Sequence, residues 1–231
     1  MRGHAEFDDF ADEYDSTLNQ GLAFSGENKD FYARARIEWL SDVLAPLDLR
    51  PRRAIDFGCG TGTSTPLLLE LLKLDSVLGV DVSDRSIAVA TARHGTDRSQ
   101  FSLLSAHEPN GDFDLAFCNG VFHHIPLAER AGAVERVFRS LRPGGYWAFW
   151  ENNPFNPGTQ WLMRKLPFDR DAIKVSCFEA RRLLSAGGFE MVRTDHLFLF
   201  PKFLERLRPL ERRVAHLPIG AQYLVLAQKP R

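Results

Sequence analysis

Three glycines and two carboxylates carry the first chemistry in this sequence. Gly58, Gly60 and Gly62 alternate with Cys59 and Thr61 in the run Ala54-Ile-Asp-Phe-Gly-Cys-Gly-Thr-Gly-Thr63. The run reads as a short buried strand, a glycine-rich turn and the start of a helix. With no Cβ at three positions, a ligand can approach the backbone closely. The free N–H groups and positive dipole end of the following helix favour a carboxylate or phosphate there. Asp81 closes the next apolar run, about twenty residues downstream, where an acid can accept hydrogen bonds from both hydroxyls of a ribose. These residues fit a nucleoside-bearing cofactor at the edge of an α/β sheet. The dinucleotide pattern G-x-G-x-x-G would need a glycine where the chain has Thr63, which disfavours a nicotinamide cofactor and a dehydrogenase.

Two imidazoles and a third acid are candidates for proton transfer. His123 and His124 follow an apolar run ending at Asn119, and imidazole titrates near neutral pH, so either could act as a general base. The competing reading has one ring packed and the other capping a helix. Glu151 ends a later apolar run, where it could orient an acceptor, take its proton, or simply tie down the segment that follows. No metal site is expected, because adjacent histidines lack the i, i+4 spacing of helical ligands.

The elements that must position these groups alternate along the chain. Apolar runs at 54–57, 77–80, 101–104, 114–118 and 146–150 read as strands, with helices over 64–73, 84–93, 127–140 and 178–186. Residues 7–20 and 30–45 read as two leading helices, broken by Gly21 and Ser25-Gly26. Pro66 suits a first helical turn and Gly187-Gly188 a helix end. Such alternation predicts a parallel sheet covered on both faces. Met191–Phe200 and Gln222–Gln228 read as two late strands with no helix between them, hence an antiparallel, hairpin-like pair at the sheet edge. Asn152–Ser176 breaks the alternation. Its Asn, Pro, Gly and Trp content, beyond the carboxyl end of the fifth strand, suits a lid or an acceptor-binding wall, and equally a passive connection.

Composition bounds the function. The 231 residues suffice for one sizeable core, and 44% hydrophobic with 26% charged residues is ordinary for a soluble globular chain. A net charge of −1 gives no global attraction to nucleic acid or acidic membranes. The charge is unevenly spread: residues 1–30 hold eight acids against Arg2 and Lys29, and residues 201–231 hold seven bases against Glu205 and Glu211. A solvated face is the plainest account of that basic end. Three cysteines without paired spacing suit reduced thiols and a cytoplasmic setting, with Cys59 and Cys118 as packing residues. No stretch resembles a signal peptide or approaches membrane-spanning length.

Four landmarks in order resemble the class I S-adenosylmethionine (SAM) methyltransferases. Asp56-Phe-Gly-Cys-Gly-Thr-Gly62 resembles motif I and Gly79-Val-Asp-Val-Ser83 motif II. Phe113–Pro126 resembles the fourth strand and its loop, and Leu141-Arg-Pro-Gly-Gly-Tyr146 the turn into the fifth. The resemblance spans most of residues 7–228. It implies a Rossmann-like three-layer sandwich on a seven-stranded, mostly parallel sheet with an antiparallel last strand. It also implies one domain over 1–231: an N-terminal helical cap (1–45), a SAM-binding core (46–151), a lid or acceptor-binding insertion (152–176), and a C-terminal helix with edge strands (177–231).

The resemblance further implies methyl transfer from SAM, leaving S-adenosylhomocysteine, to an oxygen, nitrogen or, less readily, carbon of a small molecule. Gly58, Cys59, Gly60, Gly62 and Thr63 would form the cofactor turn. Asp56 would bond the cofactor's ammonium or the turn itself, Asp81 the ribose, and Val82 would flank the adenine. Ser105, Ala106 and His107 follow the third strand, where similar enzymes carry an acid-Ala pair on the adenine. Ser105-Ala106 lacks that acid, so a serine or backbone contact must replace it. Asn119 and Gly120 would lie under the methionine part. Tyr14, in Phe10-Ala-Asp-Glu-Tyr-Asp15, would sit near the sulfonium, and Arg36 would pair with the cofactor carboxylate; helix packing is the alternative for both. Trp150-Glu-Asn-Asn-Pro-Phe-Asn-Pro-Gly-Thr159 and Leu166-Pro-Phe-Asp169 resemble a bacterial subgroup with Glu-His-Asn-Pro and Pro-Phe-Asp motifs, Asn152 replacing the histidine. RNA or protein methylation and a non-catalytic SAM-binding role are the alternatives. The partner is a small-molecule acceptor rather than nucleic acid or a membrane, and the oligomeric state is open.

Overall fold

The computed structural model describes residues 14–47, 49–166 and 172–231; the side chains of residues 14–16 fall outside that description. The helix expected to begin at residue 7 therefore lies partly outside it. Its described part is α1 (Tyr14–Leu22), followed by α2 (Lys29–Leu44), whose first turn is capped by Asn28 accepting from Phe31 N. The strands and helices then alternate: β1 (Arg53–Phe57), α3 (Ser64–Leu71), β2 (Ser76–Asp81), α4 (Asp84–His94), β3 (Ser99–Leu103), β4 (Phe113–Asn119), α5 (Leu127–Ser140), β5 (Leu141–Asn152), α6 (Pro157–Lys165), α7 (Cys177–Ala186), β6 (Glu190–Leu197), α8 (Glu211–Val214) and β7 (Gln222–Gln228).

The seven strands form one sheet in the order β3-β2-β1-β4-β5-β7-β6. The β3-β2-β1-β4-β5 run is parallel throughout, and β7 is antiparallel to both its neighbours. The late strands thus pair antiparallel at the sheet edge, as expected. β7 enters between β5 and β6, leaving β6 as the edge. The reason lies in the connections: α7 carries the chain past one strand position, and the segment before β7 contains a 3₁₀ helix (Lys202–Leu210) and α8, giving it room to turn back.

Alternate residues of the central strands feed separate cores, one on each face. Trp147, Phe149, Tyr223 and Val225 pack with Val134 and Val137 of α5 and Leu184 of α7. Ala148, Trp150, Leu224 and Leu226 pack with Ile37 and Leu40 of α2 and Leu68 of α3. Burial on both faces is why these strands are apolar at nearly every position instead of alternating with polar residues. The parallel register sets Phe57, Asp81, Leu103, Asn119 and Asn152 at the carboxyl ends of five adjacent strands. That edge is where open α/β sheets bind ligands.

Candidate functional site

The glycine turn is held by backbone bonds. Gly58 N and Cys59 N both donate to Val80 O, at 2.8 and 3.1 Å, locking the turn to the end of β2. Gly58, Gly60 and Gly62 have φ of 73, 52 and 80°, left-handed values that disfavour other residues. Space separates them. A Cβ on Gly58 would lie 2.3 Å from Val121 Cγ2, and one on Gly62 3.0 Å from Ala90 Cβ, whereas beyond its chain neighbours Gly60 would meet nothing within 4 Å. Asp81 stands at the rim, accepting from Gly60 N at 2.8 Å and from Ser83 N at 3.0 Å. Val82 beside it is 43% exposed.

Asp56 lies beneath the turn, buried, and accepts from Thr65 Oγ1 at 2.8 Å. Burial pushes its carboxyl up from the ordinary 3.8 to about 7; the Thr65 hydroxyl opposes the rise and the Asp81 charge adds to it. Burial also holds the Cys59 thiol well above its ordinary value, so it stays protonated as a packing group. Lys29, at the start of α2, donates to Thr63 Oγ1 at 3.0 Å and ties the N-terminal helices to the turn.

Beyond β4 and β5 a cavity of about 270 Å³ opens, lined by Asn119, Gly120, His123, His124, Lys29, Arg36 and Gln222 on its polar side. Leu18, Leu22, Phe24, Leu162, Leu166 and Phe198 supply an apolar side. Glu151 is 1% exposed, and its Oε2 lies 2.7 Å from His123 Nδ1. Its Oε1 accepts from Phe122 N at 2.8 Å and His123 N at 3.3 Å. Burial alone would raise the Glu151 carboxyl; the His123 ring, the Asn152 amide and the His124 charge outweigh it and hold the carboxyl below its ordinary value. The His123 and His124 ring centroids are 4.0 Å apart. A buried carboxylate bonded to the Nδ1 of an imidazole at a cavity wall is the arrangement of an oriented general base.

The remaining candidates divide. Asn119 Oδ1 is buried without a hydrogen-bond partner among the described residues. Arg36 donates through Nη1 to Gln222 Oε1 at 2.8 Å, and Gln222 in turn donates to Asn152 Oδ1 at 2.9 Å. Ser105 and Ala106 sit on a 3₁₀ turn after β3. The His107 ring is buried against α5, with Nε2 2.9 Å from Ser140 Oγ; burial, then the Arg136 charge, lowers its pKa. Its ring is thus engaged away from the cavity, whose lining omits it. The backbone at Tyr14 begins α1, while its side chain lies outside the described residues.

The described residues after β5 are tied down by hydrogen bonds. Asn156 caps α6 by accepting from Thr159 N, and Asn153 Nδ2 donates to Pro218 O and Gly220 O. Ile173 N donates to His123 O at 2.8 Å, tying this segment to the histidine loop. Sequence reasoning missed Phe198, Gln222 and Glu211. Phe198 has φ 64°, a strained value for an aromatic residue, and Glu211 holds it by accepting from Phe198, Leu199 and Phe200 N at 2.9–3.1 Å. No short motif marks them, since the contact joins residues from both sides of the 3₁₀ helix.

These residues fit a nucleoside bearing an amino-acid tail. The open face of Gly60, the carboxylate at the rim and the exposed Val82 suit the sugar and base, and the orphaned Asn119 oxygen suits a donor such as an ammonium. Among the described residues, no group of three or more His, Cys, Asp or Glu could hold a metal, and no helix is long and apolar enough to cross a membrane.

Comparison with known proteins agrees with this geometry. Residues 55–147 match the family described as "Methyltransferase domain". The chain is 32% identical over 136 residues to trans-aconitate 2-methyltransferase of Methylobacterium nodulans, covering 58% of this chain and 52% of that protein. Over 161 residues it is 30% identical to the Acidovorax protein of the same name, covering 68% and 60%. It thus spans between half and three fifths of the length of these curated relatives. A Thermotoga maritima structure, described as a SAM-dependent methyltransferase and possible histamine N-methyltransferase, superposes with a TM-score of 0.65 at 21% identity, over 99% of this chain and 100% of that one. Residues 55–147 thus form a methyltransferase domain, and the sheet built around them has the fold of the SAM-dependent methyltransferases.

Proposed function

We propose that the chain transfers the methyl group of SAM to an oxygen or nitrogen of a small molecule held in the cavity beside His123. When bound, SAM supplies an electrophilic methyl on its sulfonium. The glycine turn, Asp81 and Val82 hold the nucleoside end, while Asn119 and Gly120 lie under the amino-acid end. Residues 1–45 and 152–176 serve as cap and acceptor wall around the 46–151 core and the 177–231 end.

The observation that carries this reading is the 2.7 Å contact between His123 Nδ1 and the buried Glu151 carboxylate. It fixes the ring and makes Nε2 the atom that takes a proton. Such a base is useful only if the acceptor loses a proton, as a hydroxyl or amine does on methylation. Glu151 is too buried to meet the acceptor itself, so it acts as a positioning residue. The pair favours His123 over His124 as the base.

Labelled SAM tests the proposal against two acceptor pools. Trans-aconitate comes first, because the curated relatives are named for it; a metabolite extract supplies hydroxyl and amine acceptors. The proposal predicts labelled product from a protic acceptor, with His123→Ala lowering kcat by about 100-fold or more. A carboxylate ionised at neutral pH has no proton to lose, so methylation of a carboxylate alone, unaffected by His123→Ala, would contradict the assigned base. Absence of label in small molecules, with label entering RNA or protein, would contradict the acceptor class.

A further inference from the structure

The 3₁₀ helix Lys202–Leu210 is amphipathic the wrong way round for a solvated surface. The segment kinks at Leu204, so its two faces are read residue by residue. Arg208 and Glu211 are turned toward the protein. Arg208 pairs with Glu27 at 2.9 Å, bonds Phe200 O and lies over the Phe31 ring, and Glu211, just beyond the helix, holds the 198–200 backbone. Its apolar side chains face water instead: Phe203 is 79% exposed, and Leu204, Leu207 and Leu210 are 37–44% exposed. Leu217 and Ile219 extend the exposed apolar surface past α8. Single exposed apolar residues are ordinary; six within eighteen positions mark a docking surface.

Charge identifies the occupant. Lys202, Arg206, Arg212 and Arg213 are exposed on the same segment, against Glu205 as its exposed acid. Arg212 pairs with Asp42, and Lys202, Arg206 and Arg213 make no ion pair among the described residues. An apolar ridge flanked by uncompensated bases matches the chemistry of an anionic lipid surface, where aromatic and leucine side chains enter the interface and the bases meet headgroups. The segment also adjoins the cavity, because Phe200 and Pro201, immediately before it, form part of the wall. We propose that residues 202–219 dock this protein on an anionic bilayer, with the cavity mouth next to the lipid. The inference rests on this surface and not on the proposed reaction.

Vesicle sedimentation of the full chain tests it. The chain should sediment with phosphatidylcholine vesicles containing roughly one third phosphatidylglycerol and stay in solution with phosphatidylcholine alone. Phe203→Glu with Leu207→Glu should weaken the anionic partition by about tenfold or more. Arg206→Glu with Arg213→Glu should remove the preference for anionic lipid. None of these residues lines the cavity, so S-adenosylhomocysteine affinity and melting temperature should hold in both variants and show that the fold survives. Failure to sediment with either vesicle, or equal partition of parent and Phe203→Glu/Leu207→Glu chains, would overturn the proposal. A lipid-independent dimer that the same pair of substitutions dissolves would assign the ridge to a second copy and overturn it as well.

Discussion

The turn over 56–65 and the cavity wall drawn from 119–124, 151–166 and 198–222 hold their groups by different means. The turn works through backbone: amides of Gly58 and Cys59 bond Val80 O, and the three glycines supply angles and, at Gly60, an open face. The wall works through side chains gathered from far apart. His123 meets Glu151 28 residues on, and Arg36 meets Gln222 across 186. Backbone geometry leaves a local signature in sequence, because only glycine tolerates those angles cheaply. Side-chain pairs across long separations leave none. The turn therefore announces itself in the sequence, whereas at the acceptor end His123, His124 and Glu151 could be named as candidates but not paired.

The contrast gives predictions of decreasing size. Glu151→Gln breaks the wall and spares the turn: its amide cannot replace the carboxylate charge on His123. Its kcat should fall by about 100-fold, with the acidic limb of the kcat profile moved, measured as initial rates against pH. The structural role alone would change stability and leave that limb in place. Gly58→Ala breaks the turn, meeting Val121 at 2.3 Å and keeping a positive φ. Urea unfolding should show a loss of about 3 kcal/mol. Gly60→Ala has the angle cost without the clash, so about 1 kcal/mol is expected, with cofactor affinity falling more than stability.

The remaining effect concerns pH and is the most gradual. The folded chain keeps on Asp56 a proton that the unfolded chain loses near pH 4, because the folded value is about 7. Stability should therefore fall as pH rises from about 4 to about 7, by at most about 1.4 kcal/mol per pH unit, and level off above. Asp56→Asn should flatten that slope, as followed by urea midpoints across the range.

What the residues revealed in advance follows from the same division. The parallel strands and the helices over 64–71, 84–94, 127–140 and 177–186 fell close to their expected bounds, since apolar runs and glycine stops are local signals. α6 was hidden because Asn156 and Pro157 read as loop residues while here serving as cap and first helical residue. The insertion of β7 between β5 and β6 was hidden because a strand's own residues do not name its neighbours. The His107 ring went to Ser140, a partner 33 residues away that no spacing rule selects. The ordering role of Glu211 was hidden for the same reason, and its segment read only as a basic, solvated end.

The central claim is that the two regions divide the labour, one binding SAM and the other moving the proton. Calorimetric titration with S-adenosylhomocysteine, run on the parent, Asp81→Ala and His123→Ala proteins, tests it most directly. Asp81→Ala should weaken binding by about tenfold or more, while His123→Ala should leave it within about threefold of the parent. Equal affinity in parent and Asp81→Ala, or loss of binding in His123→Ala with its fold intact, would contradict it.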